Sequence, residues 1–246
     1  GWWAKRLTAV RQFARYHQAF DPRTQVPPAD LIPYHKQRLV PYLYTTEEVV
    51  ALMRQAARLR YPLQAVSYQA ILGLLAATGL RVSEALSLDD HDIDWERQLL
   101  TVRCSKFGKS RLVPLHLTTL AALRAYARRR ARLSPHRRSP AFFISSTGNR
   151  VIHQNFHQVF LRLLERTGLD RGPGRRPRIH DLRHAFAMRI VRDWYRTGVD
   201  VERRLPWLST YLGHVSPSKT YWYLTATPEL LAAAATRAER TWKVRP

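Results

Sequence analysis

Ile179-His180-Asp181-Leu182-Arg183-His184 follows a run of glycine, proline and arginine, Arg171 to Arg178, and opens a helical segment reaching Arg196. The run before it breaks any helix, so the stretch marks a start. His180 and Arg183 stand three apart and, at a helix start, project from one face. An imidazole moves a proton near neutral pH, and a guanidinium offers a fixed fork to a phosphate. Asp181 supplies a carboxylate where the helix dipole favours one. A lone His-x-x-Arg also occurs at many solvated helix starts, so the weight falls on the rest of the chain.

Three other stretches carry matching chemistry. In Thr78-Gly79-Leu80-Arg81-Val82-Ser83-Glu84, Arg81 lies just past a helix-ending glycine, where a side chain can reach out of a core or pair with Glu84. Lys106 stands at the tip of a hairpin loop, Ser105-Lys106-Phe107-Gly108-Lys109-Ser110, between two alternating strands. Tyr211-Leu212-Gly213-His214 is followed nine positions later by Tyr223. Two arginines, a lysine, two histidines and a tyrosine form a coherent kit for metal-free attack on a phosphodiester. Tyrosine is a poor nucleophile at neutral pH, its free pKa being about 10. It needs a base nearby and strong stabilisation of the charge building on the phosphate, which arginine forks provide.

Composition agrees. Lys and Arg total 41 against 18 Asp and Glu, a net charge of +23 spread along the chain, while 45% of residues are hydrophobic. A folded, strongly basic protein implies a polyanionic partner, most often nucleic acid. No apolar run approaches the roughly 18 residues of a membrane span, and no signal-peptide pattern is present. Cys104 is the single cysteine, so an internal disulfide is impossible and a reducing cytoplasm fits.

Trp3 to Phe20 has Leu7, Val10, Phe13, Ala14 and His17 spaced for one helical face, which a single helix cannot bury alone. It is expected to be the end of a larger helical domain, and the start at Gly1 suggests residues upstream. Asp21 to Pro41, with five prolines, is expected to be a linker. Thr45 and Glu48 form a capping box that opens the main domain. Helices are predicted to Leu59 and over Leu63–Thr78, Thr118–Leu133, Gln154–Thr167, Asp181–Thr197 and Val201–Leu212, with an alanine-rich tail helix over Pro228–Trp242. Strands are predicted at Ile93–Trp95, Leu99–Cys104 and Arg111–Leu115. The expected class is mainly α with a small antiparallel β-sheet (α+β), divided into residues 1–40 and a domain over 41–246. Trp95, Trp194 and Trp207 are assigned to the core and Cys104 to a strand interior; His153 and His157, four apart, lack a carboxylate or cysteine partner for a metal.

The motifs together resemble the tyrosine recombinase (phage integrase) family, whose catalytic domain is also similar to that of type IB topoisomerases. The matching residues are Ala77-Thr-Gly-Leu-Arg81-Val-Ser-Glu84, Lys106 upstream of Arg111-Leu-Val-Pro-Leu115, His180-Asp-Leu-Arg183-His184, Leu212-Gly-His214, and Thr220 three before Tyr223. They follow the family's order and spacing over about Tyr44 to Leu231. The resemblance implies the integrase catalytic fold, preceded by a remnant of the core-binding domain. It implies Tyr223 as nucleophile in a 3′-phosphotyrosyl link, Arg81 and Arg183 on the scissile phosphate, His180 as base, Lys106 as acid and His214 as hydrogen-bond donor. Neither metal, ATP nor another cofactor is implied. The implied partners are double-stranded DNA and further copies of the chain, a tetramer linked by exchanged tails, in a cytoplasmic, nucleoid-associated setting. Two departures stand out: Phe107 follows Lys106 and Cys104-Ser105 precedes it where the family favours glycine, leaving Lys109 as a second candidate acid. Tyr221 is a second tyrosine, but the spacing from His214 and Thr220 favours Tyr223. The alternatives are topoisomerase-like relaxation, or a DNA-binding protein that keeps the fold without catalysis.

Overall fold

The computed structural model describes residues 2–32, 41–103, 108, 110–137, 139–170 and 176–214. The chain divides into two units, Gly1–Val40 and Pro41–Pro246.

In the first unit, α1 (Trp2–Gln18) is the predicted amphipathic helix. Trp2, Trp3, Val10, Phe13, Tyr16 and Phe20 are each more than half exposed. Arg11 holds the following turns, donating to the carbonyls of Pro27, Pro28 and Ala29.

The second unit opens with α2 (Thr46–Ala57), where Thr45 Oγ1 accepts from the Glu48 N–H at 3.2 Å and the Glu48 carboxylate accepts from the Thr45 N–H at 2.9 Å. Two orphan donors are thereby satisfied by the capping box that the sequence shows. Helix α3 (Pro62–Thr78) is apolar on nearly every side, which requires a central position. Tyr68, Ile71, Leu72, Leu74 and Leu75 are buried in it, packed against α2, α5 (Leu117–Leu133) and α7 (Ile179–Arg196). After Gly79 comes a five-residue helix, α4 (Val82–Leu86), and a 3₁₀ turn over Asp90–Asp92. Neither was predicted; both are shorter than the window in which periodicity is visible.

The sheet is antiparallel with order β1 (Ile93–Asp94), β2 (Leu99–Val102), β3 (Arg111–Pro114). Leu100 pairs with Val113 and Val102 with Arg111. Strand alternation turns Leu100, Val102 and Val113 into the core. Helix α6 (His153–Thr167) completes the main core through Phe156, Phe160, Leu163 and Leu164. A second cluster, including Phe186, Val191, Leu205, Leu208 and Leu212, joins α7 to α8 (Val201–Leu212). The class is the expected one, mainly α with a small antiparallel sheet.

Trp207 corrects one expectation. It is 66% exposed, because the buried stripe of α8 runs through Val201, Leu205, Leu208 and Leu212 and position 207 lies off it. Trp95 and Trp194 do pack against the two cores. Cys104, the hairpin tip with Lys106 and Lys109, and the tail with Tyr221, Tyr223 and Pro228–Trp242 lie outside the described residues. No helix among the described residues is long and apolar enough to cross a membrane.

Candidate active site

Three arginines meet at the C-terminal end of α8. A helix leaves its last carbonyls without partners and gathers partial negative charge there, so cations are favoured. Arg111 Nε donates to the Tyr211 carbonyl at 2.8 Å, Arg183 Nη2 to that of Leu212 at 2.5 Å, and Arg81 Nη2 to that of Gly213 at 2.8 Å. Arg183 Nη1 also donates to the carbonyl of Gly79, the residue capping α3, at 2.9 Å. Arg183 is 2% exposed, yet its guanidinium joins the ends of two helices beside Arg81.

The Leu212-Gly213-His214 motif has a backbone reason. Gly213 takes φ +68°, and the Gly213 and His214 N–H groups donate back to Thr210 and Ser209 at 2.9 and 3.0 Å. That closure is a Schellman motif, and it sets His214 immediately past the helix end. Gly79 plays the corresponding part after α3, with φ +64° and its N–H on the Leu75 carbonyl at 2.9 Å.

Glu84 ties the cluster together. It is 4% exposed, and its oxygens accept from Arg81 Nη1 (2.6 Å), the Arg81 N–H (2.9 Å) and both terminal nitrogens of Arg111 (2.9 Å each). Burial would raise its pKa; the bonds from Arg111 and Arg81, with their charges, outweigh this and hold it at about 2. Arg81 therefore has the carboxylate partner that a surface position would give it. It is nonetheless fixed at the site, with more N–H donors than these bonds use.

His180 and Arg183 enter from the first two turns of α7. Asp181 stabilises the first turn, accepting from the Arg178 N–H at 2.8 Å and from Arg178 Nη2 at 3.0 Å. His180 is exposed along one side, yet its surroundings desolvate it. That desolvation, followed by the charge of Arg183 and smaller effects of Arg178 and Arg81, lowers its pKa to about 4. Its ring meets that of His184 edge-on, centroids 4.8 Å apart, and His184 is likewise lowered to about 4, by burial and then by His180. Both imidazoles are neutral at pH 7, the state in which one can accept a proton. Tyr211, pushed up to about 12 by burial against the opposing pull of Arg111 and Arg183, remains a phenol stacked on Phe186.

Arg81, His180, Arg183 and His214 thus come from three helix ends to one place, while Lys106 and Tyr223 fall outside the described residues. Arg111 and the clamping role of Glu84 were missed by sequence reasoning. One signal was available: alternation puts Arg111 on the same strand face as Val113 and Leu115, and a charge on a core face needs a partner. Among the described residues one acid–histidine group has metal-ligand spacing, Asp89, His91 and Asp92. Its carboxylates are already paired, Asp89 with Arg150 and Asp92 with Arg103. His153 and His157 stack at 6.1 Å on the exposed start of α6.

Residues 43–229 match the sequence profile of the phage integrase family. The chain belongs to that family. It is 45% identical to y4rB of Sinorhizobium fredii, a protein named for the integrase/recombinases, over 251 residues covering 99% of this chain and 80% of y4rB. Tyrosine recombinase XerD of Mycobacterium tuberculosis is 33% identical over 234 residues, 93% of this chain and 70% of XerD. The crystal structure of XerA recombinase superposes with a TM-score of 0.63 at 25% identity, over 94% of this chain and 74% of that one. The structure of a lambda integrase tetramer bound to a Holliday junction shares the fold, at TM-score 0.64 and 18% identity over 88% and 57%. Within the phage integrase family the chain is a tyrosine-type site-specific recombinase.

Proposed function

We propose that this recombinase cuts and rejoins double-stranded DNA through Tyr223. The observation that carries the mechanism is the convergence of Arg81 and Arg183, with His180 beside them, on the turn that sets His214. A phosphodiester entering this corner meets preorganised cationic donors, which stabilise the charge that builds on its non-bridging oxygens. Tyr223 Oη attacks phosphorus and gives its proton to His180. Desolvation is the larger cause of the low basicity of His180, and the charges of Arg183, Arg178 and Arg81 add to it; a phosphate between the arginines offsets that second part. The 5′-oxygen leaves with a proton from Lys106, and a 3′-phosphotyrosyl bond remains. Attack by another 5′-hydroxyl reverses each step, so bond energy is conserved without ATP.

Two further parts belong to this reading. Residues 1–40 are the end of a core-binding domain and its linker; the exposed Trp2, Trp3, Phe13, Tyr16 and Phe20 support a larger helical partner for α1. The spacing of Leu230, Leu231, Ala234, Ala235 and Ala238 in Pro228–Trp242 predicts a tail helix with one apolar face, which in this reading docks on a neighbouring copy in a DNA-bound tetramer. A groove of about 550 Å³ among α2, α3, α5 and α7 offers an acceptor of the right character, lined by Val49, Met53, Leu74 and Ala122 with Arg129 and Arg189 present for Glu229 or Glu239. The test is a nicked duplex from which the cleaved end diffuses away. The protein should become covalently joined to the 3′ phosphate, with or without EDTA. Binding without an adduct would leave a DNA-binding protein, and loss on chelation restored by magnesium would refute the metal-free mechanism.

A further inference from the structure

Arg111 has no part in that reaction, yet it is fully engaged around the site. Its fork spans both oxygens of Glu84 at 2.9 Å while Nε reaches the Tyr211 carbonyl at 2.8 Å. A planar guanidinium that meets three acceptors has a single orientation. Its side chain is 11% exposed, so water does not compete freely for those bonds. Gly213 is fitted against it: a Cβ there would stand 2.9 Å from Arg111 Nη1 and 3.1 Å from Cζ. With this guanidinium in place and φ at +68°, only glycine fits the turn before His214 without strain. On its other side, Glu84 holds Arg81 by both its backbone N–H and its side chain.

We infer that Arg111 is a positioning residue for strand cleavage, fixing Glu84 and the turn at Gly213 so that Arg81 and His214 are set before a phosphate arrives. The inference rests on the recombinase reading above. Electrostatics points the same way. Arg81 and Arg111 share one carboxylate and carry a net single positive charge; with Arg111 removed, Glu84 would neutralise Arg81 at the moment a phosphate needs it. Lysine would restore the charge, but its donors radiate from one atom, whereas here three separate nitrogens of a planar fork each meet an acceptor.

Arg111→Lys tests this, with single-turnover cleavage of the nicked duplex measured at saturating DNA and well below the melting temperature. Cleavage should fall about 100-fold, the scale on which misplaced catalytic groups lose rate. The Kd for DNA should change by no more than about threefold, because many other cations carry affinity. Combined with His214→Ala the losses should be less than multiplicative, since part of the effect of Arg111 runs through the turn that sets His214. Wild-type cleavage in Arg111→Lys, multiplicative losses, or a fall matching only the unfolded fraction would overturn the inference. Should the lysine variant not fold, Arg111→Gln keeps a donor beside Glu84 while removing the charged fork and leaves the turn at Gly213 unsubstituted. A comparable loss would support the assignment and unchanged cleavage would end it. An unmodified enzyme that forms no adduct fails at the recombinase reading instead, so the two failures are distinct.

Discussion

Gly79 ends α3, offers its carbonyl to Arg183 and precedes Arg81 by two residues, so Gly79→Ala strikes the site through its scaffold. At φ +64° an added Cβ would lie 2.5 Å from Cδ1 and 3.0 Å from Cγ of Phe186, and 3.3 Å from Leu212 Cδ2. The left-handed backbone costs any L-residue roughly 1–2 kcal/mol. Driving the buried Phe186 ring out of the way costs roughly 1–3 kcal/mol more. The total, about 2–5 kcal/mol at about 2–4 °C for each, lowers Tm by about 4–20 °C. Gly168 supplies the control: it caps α6 at φ +72° with no atom within 4 Å of its added Cβ. Gly168→Ala therefore bears only the backbone cost, a drop of about 2–8 °C. Calorimetry on the two variants side by side separates the terms. Equal shifts, or an unshifted Gly79→Ala, would mean that the Phe186 ring does not press on the turn at Gly79 and would refute the reasoning.

Acid should weaken the fold through the histidine pair. His180 and His184, held near 4 against an ordinary 6.5, refuse a proton that the unfolded chain accepts. Their share of stability is intact above about pH 6.5 and is lost as pH falls toward 4. Tm followed from about pH 7 to about pH 4.5 should fall less steeply in His184→Gln, and parallel curves would refute the shift. Lys106→Ala should slow cleavage of an ordinary substrate and be largely rescued when the leaving 5′-oxygen is replaced by sulfur, which departs without a proton. Rescue in Lys109→Ala instead would move the acid to that lysine. Deleting the residues after Thr227 should leave single-site cleavage at a reduced rate and abolish strand exchange, measured on linear and paired-site substrates. Normal exchange would remove the tail from the assembly.

Local rules read this chain well where the signal lies within a few residues. The Thr45–Glu48 capping box, the glycine ends of α3 and α6, and the full span of α8 follow from short-range backbone chemistry visible in the sequence. The arginines were legible as chemistry but not as geometry. Arg183 looks from its spacing like a fork at a helix start facing solvent, whereas it is buried and bonded to two helix ends. Those carbonyls belong to residues 104 positions before it and 29 after it, and periodicity carries no such distance. Arg111 and Glu84, 27 apart, were hidden for the same reason. Trp207 misled because bulk alone suggested burial, when the helical phase of α8 decides it.

The arginine cluster at the end of α8 is proposed to serve a tyrosine nucleophile at position 223. Proteolysis of the trapped protein–DNA adduct, followed by mass spectrometry of the nucleotide-bearing peptide, tests it directly. The modified residue should be Tyr223, with the adduct absent in Tyr223→Phe and retained in Tyr221→Phe, and with DNA affinity nearly unchanged in both because only a hydroxyl is lost. A phosphotyrosyl bond at Tyr221, or an adduct that survives in Tyr223→Phe, would contradict it.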